Sequence, residues 1–216
     1  DLVRSRGLGD VYKRQIIRHT MRDHKRILYN GNNYSEEWIK EAESRGLAHL
    51  PTTVDAMHCF ISEKNISLFT RWGIYTEREM RSRYDISLEN YAKLIRIEAS
   101  TMLSMAQRSI LPAVIGYESK IAEAVSAKDR LGVPNDAEYA LLKGLSAGVN
   151  ALHKRIGGLF DAIAAMPKGN GEAAEYCRDK LLPAMGSLRE AADALETITA
   201  KEYWPFPGYE DLLFNL

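Results

Sequence analysis

From Leu142 to Ile163, apolar residues follow one another at consecutive steps of three or four: Leu142, Leu145, Val149, Leu152, Ile156, Leu159 and Ile163. At 3.6 residues per turn this spacing puts them all on one stripe of an α-helix. A helix with one apolar stripe must bury it against another element. The spacing predicts a helix from about residue 135 to 166, ended by the turn Pro167-Lys168-Gly169-Asn170-Gly171.

Two neighbouring stretches offer matching stripes. Thr76-Glu77-Arg78-Glu79 fits a capping box, and helix-compatible sequence runs from it to about Arg130, with Gly132 as the stop. That is about 80 Å of helix at 1.5 Å per residue. Tyr84, Leu88, Tyr91, Ile95, Glu98, Met102 and Met105 form its heptad-like seam. Glu98 is the odd member, since a carboxylate in a core position needs a hydrogen-bonded or cationic partner. A third helix is expected from about Glu172 to Ala200, with Leu181, Met185, Leu188, Ala192 and Leu195 on one stripe. Pro112 and Pro183 predict kinks, because proline lacks an N–H and crowds the preceding turn. Both sit in a similar string, Ile110-Leu111-Pro112-Ala113-Val114 and Leu181-Leu182-Pro183-Ala184-Met185, too short to establish a duplication. No segment alternates with period two, so the fold class is all-α. Residues 76–200 are expected to form an antiparallel bundle of three long, coiled-coil-like helices.

The rest of the chain reads as smaller pieces. Residues 16–34 look like the end of a basic helix, continuing to about Tyr29, and a turn at Asn30-Gly31-Asn32-Asn33. Residues 35–75 read as a short-helix segment, with Ser35 and Thr52 as caps and Trp72-Gly73 as the final stop. Residues 201–216 form a tail in which Tyr203-Trp204-Pro205-Phe206-Pro207 offers too much aromatic area to be left in water. It should dock on the bundle, on the short-helix segment or on a neighbouring subunit. Residues 1–15 begin with Asp1, and Asp10-Val11-Tyr12-Lys13-Arg14-Gln15 resembles an in-frame translation of a sequencing adaptor. This stretch is therefore expected to be non-native, and the chain to be a fragment.

Charge bears on the partners. Lys plus Arg equals Asp plus Glu at 29 each, and without residues 1–15 the balance is 25 basic to 27 acidic. Neither suggests a polyanion, so no nucleic acid is expected, although residues 16–26 are locally basic. No apolar run is long enough for a membrane helix, so no membrane partner is expected. Two cysteines, Cys59 and Cys177, fit a reducing cytoplasm better than a disulfide framework.

Catalytic patterns are scarce. Gly144-Leu145-Ser146-Ala147-Gly148 matches a serine-hydrolase elbow, but it lies inside the helical stripe rather than after a strand. Close helix packing at Gly144 and Gly148 explains it better. The histidines His19, His24, His49, His58 and His153 occur in no zinc or di-iron spacing. Cys59, Cys177 and His58 read as structural, and Gly169-Asn170-Gly171 lacks the ending of a phosphate loop.

Three strings together resemble one family: residues 24–38, His-Lys-Arg-Ile-Leu-Tyr-Asn-Gly-Asn-Asn-Tyr-Ser-Glu-Glu-Trp; residues 50–56, Leu-Pro-Thr-Thr-Val-Asp-Ala; and Tyr203-Trp204-Pro205-Phe206-Pro207. Ser82-Arg83-Tyr84, Glu89-Asn90-Tyr91 and Leu181 to Met185 lie between them in the matching order. Over about residues 16–216 the chain resembles the C-terminal region of type III glutamine synthetases. The resemblance implies an ATP-dependent glutamate–ammonia ligase that works through a γ-glutamyl phosphate. It also implies ATP with Mg or Mn, and a homo-oligomeric ring of like subunits. The family's catalytic core lies upstream of this region and its motifs do not occur here. No catalytic, cofactor-binding or metal-binding residue is carried over, and the fragment alone is expected to be inactive. A structural or oligomerisation role follows, with the upstream catalytic domain and like subunits as partners. The alternative is a free-standing helical protein-interaction module.

Overall fold

The computed structural model describes residues 2–214, with side chains from residue 9 onward. Every regular element among the described residues is helical. The chain divides into two compact units, Asp1–Pro51 and Thr52–Leu216.

The first unit holds α1 (Leu2–Asp23), a 3-10 turn (Lys25–Ile27) and α2 (Glu36–Ser44). Ser35 caps α2, its hydroxyl accepting from the Trp38 N–H. The basic helix ends at Asp23, short of the expected Tyr29. Arg45 donates to the carbonyls of Arg26 and Leu28, and the Tyr29 ring stacks on Trp38 at 4.1 Å between centroids. Those contacts need an extended chain at 28–29, so tertiary interactions override helix propensity there.

The second unit begins with α3 (Thr53–Phe60) and α4 (Glu63–Arg71). The Thr52 hydroxyl caps α3, and Gly73 at φ 62° follows α4, a left-handed position that favours glycine. Then comes α5 (Glu77–Met105), with its capping box formed: Thr76 N–H donates to Glu79 Oε2 at 2.7 Å and Glu79 N–H donates to the Thr76 hydroxyl at 3.3 Å. A five-residue π turn (Ala106–Ile110) joins α5 to α6 (Leu111–Leu131), which ends at left-handed Gly132. Next is α7 (Asp136–Ala164), and then α8 (Asn170–Tyr176), a second π turn (Cys177–Leu181) and α9 (Leu182–Glu196). A short α10 (Tyr209–Leu213) ends the described chain.

Each π turn stands one residue before Leu-Pro. Leu111 N–H donates to the Ala106 carbonyl and Leu182 N–H to the Cys177 carbonyl, both across five residues. Pro112 and Pro183 thus enter the first turn of α6 and α9, where a missing N–H costs nothing. The turns also correct register. Ala106, Ile110 and Val114 are buried, as are Cys177, Leu181 and Met185, each set at two successive steps of four. In an unbroken α-helix two such steps drift by about 80°, and the wider π turn takes most of that back.

The main core joins α5, α6, α7, the second π turn and α9. Leu145, Leu152, Leu159, Leu181 and Leu195 are fully buried within it. On α7 and α9 the predicted stripes are the buried ones. Along α7 and the segment after it, rising numbers meet falling ones: Gly144 faces Ile198, Gly148 faces Leu195, and the Tyr176 hydroxyl donates to the Ala162 carbonyl. On α5 the seam needs correction. Its buried residues are Met80, Leu88, Ala92 and Ala99, with Tyr84, Tyr91, Ile95 and Met102 half-buried. Glu98 is exposed, so it needs no core partner, and Met105 is 41% exposed. Alanines form much of the true seam, and alanine spacing carries little signal in a hydropathy pattern. A second, smaller core packs Val54, Leu88 and Ala174, bringing α3 and α8 onto α5.

Candidate functional site

Ser146 sits half-buried in the middle of α7, without the preceding strand that a nucleophile elbow requires. The glycines beside it serve packing. A Cβ on Gly144 would lie 3.8 Å from Ile198, and one on Gly148 would run into the Leu195 side chain. Cys177 is wholly buried, and burial pushes its thiol pKa up, which keeps it protonated and unreactive. Cys59 is exposed. His58 lies 3.3 Å from the Tyr84 hydroxyl through Nδ1 and 4.0 Å from Glu175 through Nε2, on the outside of the second core. Burial is the main cause of the raised pKa of Tyr84. Among the described residues no three His, Cys, Asp or Glu side chains group as a metal site. These residues do not fit an ATP–metal centre, and no ligase step is assigned to them.

The best-built polar feature is structural in form. Arg178, in the second π turn, pairs with Asp55 Oδ1 of α3 at 2.6 Å and grips Asp179 with two donors at 2.6 and 2.9 Å. Thr52 donates to the second Asp55 oxygen at 2.5 Å. The Thr52 hydrogen bond holds the Asp55 pKa below its ordinary value, helped by Arg178. Arg178 likewise lowers that of Asp179, and its own is pushed further up. Thr52 and Asp55 were legible as a cap. Arg178 was not, because its partner lies 123 residues away.

Two grooves flank the outer half of α5, each of about 580 Å³. One, against the end of α7 and the 167–170 turn, has Arg96 and Lys168 on its rim and Phe160 on its wall. The other, against α9 and the tail, has Glu98 and Glu196 on its rim and Met185, Trp204 and Phe206 inside. The tail therefore docks on the bundle. Trp204 and Phe206 pack against the main core, and Tyr203 meets the Tyr117 ring at 5.1 Å between centroids. Lys201 holds Asp211 at 2.8 Å, closing the tail on itself.

The profile of the glutamine synthetase C-terminal domain matches residues 13–129. The chain belongs to that family. It is similar to a glutamine synthetase of Butyrivibrio fibrisolvens, 36% identical over 96% of this chain and 31% of the relative. It is also similar to the type-3 glutamine synthetase of Dictyostelium discoideum, 34% identical over 93% of this chain and 28% of the relative. A glutamine synthetase of Bacteroides fragilis is 25% identical over 100% of this chain and 31% of its own length. This glutamine synthetase C-terminal region thus spans just under a third of the length of those relatives. No described helix is long and apolar enough to cross a membrane.

Proposed function

We propose that the chain is the C-terminal helical part of a cytoplasmic, type III glutamate–ammonia ligase and that it serves assembly rather than chemistry. The observation that carries this is the family match joined to what the bundle lacks. Within the matched residues the main core is built of Ala92, Ala99, Ala106, Ile110 and Val114, with no carboxylate among them. In this reading ATP and Mg or Mn act in residues outside the chain, and the chain alone forms no glutamine. A free-standing interaction module is less well supported, because the relatives carry the match within chains about three times as long.

The test replaces the matching stretch of the Butyrivibrio fibrisolvens enzyme with this chain, and in parallel deletes that stretch. Replacement should keep ATP-dependent glutamine formation and the assembled size, while deletion should lose the assembled size. A deleted enzyme that remains fully assembled and active would falsify the assembly role. Glutamine formation by the isolated chain would show that the active site has been misplaced.

A further inference from the structure

The outward face of α5 lies opposite its buried seam. Ile86, Leu94, Ile97 and Met105 are 52%, 59%, 62% and 41% exposed there, interspersed with the exposed Lys93, Thr101 and Ser104. The two grooves lie on either side of this face, and their charges differ. On one side Lys93 is already paired with Glu89, which leaves Arg96 and Lys168 without an ion pair among the described residues. On the other, Arg189 is already paired with Asp193, which leaves Glu98 and Glu196. Among the described residues the face is thus largely apolar and hydroxylic along its middle, with two unpaired cations on one flank and two unpaired anions on the other.

Such a face is complementary to itself in only one orientation. A two-fold axis running along α5 swaps left and right, so the cationic flank of one copy meets the anionic flank of the other. A two-fold axis lying across α5 would set cations against cations. We infer that the outward face of α5 binds a second copy of this chain, with the two α5 helices side by side and parallel. The inference rests on the assembly role proposed above and names the surface and partner for it. Charged flanks choose orientation in paired helices in the same way. From Ile86 to Met105 the face is about 30 Å long, and with both groove rims it is about 20 Å wide. The pair would bury about 1,200 Å² in total, at the low end for a specific interface, so association should be weak and concentration-dependent.

The experiment uses the whole chain with Cys59→Ser as background. Sedimentation equilibrium should show a monomer–dimer equilibrium. Arg96→Glu or Glu98→Lys should each weaken it about tenfold, and the Arg96→Glu/Glu98→Lys double variant should return it to within about threefold of the parent. Circular dichroism checks that each variant is folded, and all three positions are exposed. Ile86→Cys, Ile97→Cys and Ser104→Cys, made singly, should each form an oxidised dimer, because a parallel pair keeps every position beside its own counterpart. A chain that stays monomeric at about 100 µM, a dimer indifferent to both charge reversals, or cross-linking at only one of the three positions would each overturn the inference. None of those results bears on whether deleting the whole region disassembles the enzyme, so the two readings fail separately.

Discussion

At Gly148 a catalytic-looking motif and a packing motif are separated by one absent methyl group. A Cβ there would collide with Leu195, which is fully buried and has little room to yield. Gly148→Val should therefore destabilise the chain by about 1–3 kcal/mol, measured by urea unfolding. Gly157, on the same helix, would meet nothing within 4 Å, and Gly157→Ala should stabilise it by about 0.5–1 kcal/mol through helix propensity alone. The same comparison between Ser146→Ala and the parent should show no change in any esterase assay. Asp55 and Asp179 give a pH dependence. Folding lowers both pKa values below the ordinary 3.8, so their contribution is full above that value and disappears as the pH falls through the lowered folded values. Arg178→Gln should flatten the acid limb of the urea midpoint against pH. An unchanged limb would show that the Arg178 cluster does not couple α3 to the second π turn.

The two π turns decide how the long helices work as elements. Each adds hydrogen bonds across five residues where an uninterrupted helix would have carried Val114 or Met185 off the core face. The repeated Leu-Pro-Ala strings are therefore matched solutions to one geometric problem. Deleting Arg108, an exposed residue of the first turn, should restore a regular helix in which seven residues separate Ala106 from Val114, so that both stay on the core face. Pro112 would then stand inside an uninterrupted helix rather than at the start of one, and stability should fall by about 3 kcal/mol in thermal or urea unfolding. Arg108→Ala, which keeps the count of residues, should change it by less than about 0.5 kcal/mol. The prolines announced a local irregularity in the sequence. Its form, a widened turn, depends on which face of the next helix must be buried, and that is a property of the neighbours.

On the scale of the molecule, both hydrophobic cores lie within Thr52–Leu216. Residues 52–216 should therefore retain a cooperative melt within a few degrees of the full chain, as read by circular dichroism. The tail belongs to that unit through Trp204 and Phe206, which pack half-buried against the main core. Trp204→Ala should cost about 2 kcal/mol, less than a fully buried tryptophan, and should open the groove that holds Glu98 at its rim. A melt unaffected by Trp204→Ala would mean that the tail rests on the bundle without stabilising it.

The all-helical class, the spans of the long helices, the caps at Ser35, Thr52 and Thr76, and the buried stripes of α7 and α9 were legible from residue order. All of these depend on interactions within a few turns, or on strong aliphatic spacing. The α5 seam was right at Tyr84, Leu88, Tyr91, Ile95 and Met102 but wrong at Glu98 and Met105, and it missed alanines such as Ala92 and Ala99, which are buried through the close approach of other helices. Glu98 looked like a core position until three-dimensional packing turned it toward the rim of a groove. Arg178 found Asp55, and Trp204 found the bundle, across separations that no local pattern records. Short-range chemistry chooses the helices, whereas contacts between distant segments decide which faces are covered and which stay free for a partner.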